Sequence, residues 1–96
     1  PTLIVEGKAI TDSDNICLYL DNLSNGKSLY PKDRYWDCMT VISVTNGIME
    51  NAVNRYIEMS AISEVEQRKK AIERFEKKIL RSISWIENKF EEILGQ

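Results

Sequence analysis

Residues 1–20 read Pro1-Thr-Leu-Ile-Val-Glu-Gly-Lys-Ala-Ile-Thr-Asp-Ser-Asp-Asn-Ile-Cys-Leu-Tyr-Leu20. Leu3 to Val5 is a short apolar run ending in two β-branched residues, Glu6-Gly7-Lys8 is turn material, and Ala9-Ile10-Thr11 resumes an extended stretch. This order predicts a β-hairpin. Thr11 followed by Asp14 reads as a capping-box-like helix start in which Asp replaces the usual Glu. From about Ser13 to Leu23, Ile16, Leu20 and Leu23 recur at helical intervals with Cys17 alongside, so a first helix follows. Asp12 and Ser13 therefore stand at a helix entrance, where unpaired N–H groups and the positive end of the helix dipole suit a small carboxylate. Such residues also cap helices without any ligand, and on these residues alone capping is the favoured reading.

Downstream, Ser24-Asn25-Gly26-Lys27-Ser28 is a cluster of turn formers that stops the first helix. Leu29-Tyr30-Pro31 continues as an extended connector, because a residue before proline is pushed out of the helical region. A domain boundary placed there divides the chain into residues 1–30 and 31–96. A second helix is expected from Asp33 as N-cap to about Met59, with a wide apolar surface that includes Trp36, Met39, Ile48, Val53, Tyr56 and Ile57. More than one face of that helix needs cover. The β-branched run from Thr40 to Thr45, followed by Gly47, leaves a strand or a kink open at that point.

A third helix is expected from about Ser63, where Ile72, Phe75, Ile79, Ile83, Ile86, Phe90 and Ile93 recur at intervals of three and four. Glu64/Arg68, Glu66/Lys70 and Glu73/Lys77 place opposite charges four residues apart along it. A helix of this length reaches about 45 Å and requires a partner of similar length. The second helix is that partner, folded back antiparallel through Ser60 to Ser63, and Gly95 reads as the C-terminal stop. The expected fold class is thus α+β and mostly α, a β-hairpin plus helix followed by two long antiparallel helices of an all-α bundle.

Composition narrows the function classes. Of 96 residues, 43% are hydrophobic and 29% charged, which argues against disorder and against a membrane span. A formal net charge of −2 supplies no basic field for nucleic acid or anionic lipid. Arg68-Lys69-Lys70 is compactly basic, but Glu64, Glu66 and Glu73 surround it, as on a solvated helix face. The chain has two cysteines, no histidine and no CxxC pair, so no metal site is expected. Cys17 and Cys38 read as buried free thiols in a reducing cytoplasm.

The order Pro1, Leu3, a turn, Ile10, Asp12-Ser13 and Ile16-x-x-Tyr19-Leu20 resembles the second half of the thioredoxin-like, glutathione-binding domain of glutathione transferases. In that family the pattern is Pro-x-Leu, a hairpin, an acid or amide followed by Ser, then Ala-Ile-x-x-Tyr-Leu, with Asn15 standing here for the usual Ala. Leu29-Tyr30-Pro31 is similar to the Tyr-Pro that closes the linker to the family's helical domain. The stretch from Ile83 to Leu94 is similar to the end of that domain's second long helix.

The resemblance implies glutathione as co-substrate rather than a resident cofactor, a cytoplasmic homodimer, and no nucleic-acid or membrane partner. Ser13 would bind the γ-glutamyl carboxylate of glutathione, and Asp12 would take the family's acid-or-amide position beside it. The Tyr, Ser or Cys that activates the glutathione thiol belongs to a part of the domain that precedes the residue matched by Pro1. The Thr/Ser-x-Ala-Asp segment of the helical domain follows the residue matched by Leu94. The chain is therefore expected to be an internal piece of a transferase-like protein, with no catalytic residue of its own and little or no activity alone. Two other readings stand beside this one. The first is a non-catalytic transferase-like module for interaction or dimerisation, and the second a helical hairpin with a small β-appendage made for partner binding.

Overall fold

A computed structural model describes residues 1–60 and 64–93. It is mostly helical: strands β1 (Thr2–Val5) and β2 (Lys8–Thr11) precede helix α1 (Ser13–Leu23) and two long helices, α2 (Tyr35–Ser60) and α3 (Val65–Ile93). The expected fold class stands. The chain divides into two compact units, Pro1–Tyr35 and Trp36–Gln96.

In the first unit the strands pair antiparallel, with Leu3 opposite Ile10 and Val5 opposite Lys8. Lys8 is thus a strand residue, and the turn is only Glu6-Gly7. Both turn residues have positive φ, 48° and 78°, which matches the right-handed twist of the strands and which glycine adopts freely. Leu3, Val5 and Ile10 are half-buried, whereas Ile4 lies on the open face of the hairpin. In α1, Ile16, Leu18 and Tyr19 are half-buried. Leu20 and Leu23 are more than half exposed, and Cys17 is exposed rather than buried. Two strands are too narrow to cover more than one side of a helix.

The end of α1 is organised by polar contacts. The Ser24 N–H donates to the Asp21 carbonyl at 3.1 Å, and the Asp21 carboxylate accepts from Ser28 Oγ at 2.6 Å and from the Leu29 N–H at 2.7 Å. Ser28 Oγ in turn accepts from the Tyr30 N–H at 3.0 Å. Asp33 does not cap α2. It sits inside a single 3-10 turn, Lys32–Arg34, which begins at Pro31 and is closed by the Arg34 N–H on the Pro31 carbonyl at 3.1 Å.

In the second unit, α2 continues as helix through Thr40–Thr45 and Gly47, with neither strand nor break. Its polar side chains bond back onto the helix. Thr40 Oγ1 donates to the Trp36 carbonyl at 2.8 Å, Thr45 Oγ1 to the Ile42 carbonyl at 2.9 Å, and Asn51 Nδ2 to the Gly47 carbonyl at 2.8 Å. These bonds satisfy groups that would otherwise compete with the helix.

Helices α2 and α3 pack together, and the pairs that approach run in opposite directions along the chain. Arg55 Nε donates to Glu76 Oε1 at 2.8 Å, while Thr40 and Val44 share a hollow with Arg81, Ser82 and Trp85. The half-buried positions on α2 include Val41, Val44 and Ile48, then Asn51, Arg55 and Glu58; on α3 they include Ile72, Phe75, Ile79, Trp85 and Ile86. In its second half, therefore, α2 turns a polar side to the seam. Met49, Ala52, Val53, Tyr56 and Ile57 form an exposed apolar stripe at helical spacing, with Tyr56 71% accessible. Ile83 and Phe90 of α3 are about half exposed as well. Among the described residues no large side chain is fully buried. The turn through residues 61–63, the end of α3 at Leu94 and the stop at Gly95 lie outside the described residues.

Candidate functional site

Asp12 and Ser13 occupy the entrance of α1. Asp12, not Thr11, is the N-cap: its Oδ1 accepts the Asp14 N–H at 2.9 Å, and its carbonyl accepts the Ile16 N–H at 3.0 Å. Thr11 is the last residue of β2, and its carbonyl accepts from Asn15 Nδ2 at 3.2 Å. The capping-box reading was displaced by one residue because the hairpin register carries Thr11 into the strand, opposite Thr2.

The backbone of Asp12 is unusual for a cap. N-cap residues ordinarily take the extended region with negative φ. Asp12 has φ 76° and ψ 127°. A non-glycine residue at positive φ costs of order 1–3 kcal/mol, and such strain concentrates at ligand-holding positions. The strain turns the chain abruptly from β2 into α1 and leaves Ser13 as the first helical residue.

Ser13 is exposed, and its hydroxyl makes no protein hydrogen bond among the described residues. Its backbone N–H belongs to the first helical turn, where no intrahelical acceptor exists. Asp12 spends Oδ1 on the cap and keeps Oδ2 open. The entrance thus offers a hydroxyl, a free N–H and the positive end of a helix to a carboxylate, with a carboxylate oxygen beside them for a cation.

Cys17 is exposed on α1, and Cys38, in the second unit, is half-buried; neither forms a disulfide. Among the described residues no group of three or more His, Cys, Asp and Glu side chains is placed to hold a metal ion, and no helix is long and apolar enough to cross a membrane.

Two features escaped the sequence reading. One is Asp21, whose carboxyl is held below its ordinary pKa of 3.8, first by the Ser28 hydroxyl and then by the Leu29 N–H. It borders a groove of about 500 Å³ that also includes Leu18, Ser28, Tyr30 and Tyr35. Nothing local in the sequence marks Asp21, because its partners lie seven and eight residues ahead. The other is a basic ridge on α3 formed by Lys70, Arg74, Lys77, Lys78 and Arg81, with Glu73 among them. The expected ion pairs Glu66/Lys70 and Glu73/Lys77 are not made, and the ion pairs found among the described residues include Arg55–Glu76 and Lys89–Glu92. Exposed pairs gain little in water and cost side-chain freedom, so helical spacing alone does not close them.

The fold and entrance together define a hairpin-and-helix unit with a strained polar helix start, joined in sequence to a long helical hairpin. No family model matches the chain, and neither a curated protein nor a solved structure matches it.

Proposed function

We propose that this chain is the γ-glutamyl-binding portion of a glutathione transferase-like protein, working in the reducing cytoplasm as part of a homodimer. The observation that supports the reading is the strained Asp12 backbone, φ 76°, at the acid–serine pair that the transferase-like pattern singles out. A plain cap needs no such strain. In this proposal Ser13 Oγ and the Ser13 N–H donate to the γ-glutamyl α-carboxylate, while Asp12 Oδ2 accepts from the adjacent α-ammonium. The whole protein would direct an activated glutathione thiolate at an electrophile. The reading assigns no thiol-activating group to this chain, so turnover of a chromogenic electrophile by the chain alone is expected to be undetectable.

Retention on immobilised glutathione, with elution by free glutathione, tests the site. The wild-type chain is expected to be retained and Ser13→Ala to pass through. Because the Ser13 hydroxyl makes no protein hydrogen bond among the described residues, Ser13→Ala should leave helicity and stability within about 0.5 kcal/mol of wild type. Equal retention of both chains, or retention of neither, overturns the assignment.

A second reading, a non-catalytic transferase-like module for interaction or dimerisation, draws on the exposed stripe Met49-Ala52-Val53-Tyr56-Ile57. Sedimentation equilibrium separates it: a dimer dispersed by Val53→Glu supports this use of the stripe, and a monomer at high concentration removes it.

A further inference from the structure

The net charge of −2 conceals a strong segregation. Between Arg68 and Arg81 the chain carries seven of its cations and only two carboxylates, Glu73 and Glu76. Glu76 is turned to Arg55 of α2, so it does not neutralise the strip. Lys70, Arg74, Lys77, Lys78 and Arg81 line one shallow depression along α3, with Glu73 the single acid among them. From Lys70 to Arg81 the ridge extends about 16 Å at the rise of an α-helix. Lys70, Lys77, Lys78 and Arg81 form no ion pair among the described residues. Arg74 lies over the Phe75 ring, 5.6 Å from its centroid. Like charges three and four residues apart destabilise a helix that has nothing to neutralise them.

The ridge does not end in open polar surface. Arg81 also borders a second hollow of about 390 Å³, lined otherwise by Thr40 and Val44 of α2 and by Ser82 and Trp85 of α3. A row of cations therefore leads directly into a mainly apolar hollow beside an indole. We infer that this surface docks an acidic peptide segment that carries an aliphatic side chain, its carboxylates on Lys70, Arg74, Lys77, Lys78 and Arg81 and its aliphatic group in the hollow beside Trp85. Charge complementarity selects an acidic partner. A peptide suits the ridge better than a nucleic acid for two reasons. The acid Glu73 interrupts the cations, and a polypeptide can place a neutral residue opposite it where a phosphate backbone cannot. The protein as a whole is acidic, and its repulsion grows with the total charge of the partner, so it opposes a long phosphate backbone more than a short segment with a few carboxylates. This surface lies wholly in the second unit and is independent of the Asp12-Ser13 assignment.

The chain has two tryptophans, so Trp36→Phe leaves Trp85 as the sole reporter. The probe is a short capped polyglutamate peptide flanked at each end by leucine. Titration into the Trp36→Phe chain is expected to shift the Trp85 emission to the blue and to saturate. Lys77→Gln combined with Lys78→Gln should weaken binding about tenfold, as loss of two ion pairs converts. Added salt should weaken it further, and a probe with serine in place of leucine should bind without the blue shift. Circular dichroism of the double variant should match the parent, since Lys77 and Lys78 are exposed. No saturable change in Trp85 emission overturns the proposal. So does equal or tighter binding by a single-stranded oligonucleotide of matched charge, or by vesicles rich in anionic lipid.

Discussion

The hairpin–α1 unit and the α2–α3 unit are held by different kinds of contact. In the first, polar groups close in sequence do most of the organising: the Asp12 cap at one end of α1, and Asp21 with Ser28 and Leu29 at the other. In the second, a long seam of half-buried Val41, Val44, Ile48, Ile72, Phe75 and Ile79 runs between helices, with Arg55–Glu76 across it. A short unit with few apolar residues depends on caps and latches, whereas long helices depend on side chains distant in sequence. Each also leaves an apolar stripe uncovered, Leu20 and Leu23 on α1 and Met49 to Ile57 on α2.

The largest test of that contrast is the seam. Ile79→Ala should lower stability by about 1–2 kcal/mol, less than for a fully buried isoleucine because Ile79 is only half-buried. Urea unfolding followed at 222 nm reads this loss, and a change within experimental error would show that α2 and α3 do not depend on each other.

Next in size is the helix entrance. Asp12→Ala should destabilise α1 by about 1 kcal/mol, since it removes the cap and keeps a Cβ at positive φ. Asp12→Gly relieves the strain and should cost only a few tenths or even stabilise, while weakening retention on glutathione. If alanine and glycine behave alike in urea, strain at Asp12 is not a real energetic feature.

A smaller effect, of opposite sign, is expected within α2. A Cβ built at Gly47 meets nothing within 4 Å. Gly47→Ala should therefore raise stability by about 0.5–1 kcal/mol, and a loss in the melting experiment would mean that the glycine serves a close approach.

The smallest test concerns the latch at Asp21. Its pKa lies below the ordinary 3.8 in the folded chain. A depressed folded-state pKa contributes stability above the unfolded value and loses it as pH falls through the folded value. The Leu29 amide should thus keep its protection factor near neutrality and lose it only as pH falls below the ordinary carboxylate range. Because the latch closes only an exposed loop at the end of α1, global unfolding should barely respond. A Leu29 protection factor that is flat through the acid range would break the latch.

Much of this fold was legible in residue spacing. Ser13–Leu23 was read with its observed ends, because a turn cluster follows Leu23 and an acid–serine pair precedes Ile16. The long helix through Ile72, Phe75 and Ile79 was legible because its period persists over many turns. Asp33 misled because an acid near a helix start resembles a cap, while Pro31 had already begun a 3-10 turn. The β-branched stretch from Thr40 to Thr45 was ambiguous because only the folded helix shows its hydroxyls bonded back to carbonyls. At the candidate site, the position of Asp12 and Ser13 was legible, but the φ of Asp12 was not. Strain arises from joining a strand of fixed register to a helix, and no single residue encodes it.

By itself, the sequence determined where helices and strands form and that an acid–serine pair opens α1, because caps, turns and apolar periods act over a few residues. Only the tertiary structure decided which faces stay open. It showed Cys17 exposed, Asp21 reaching forward to Leu29, and five cations aligned along α3 with the last of them, Arg81, beside Trp85. The physical reason is that local rules act along the chain, whereas burial and charge neutralisation depend on what stands across from each residue.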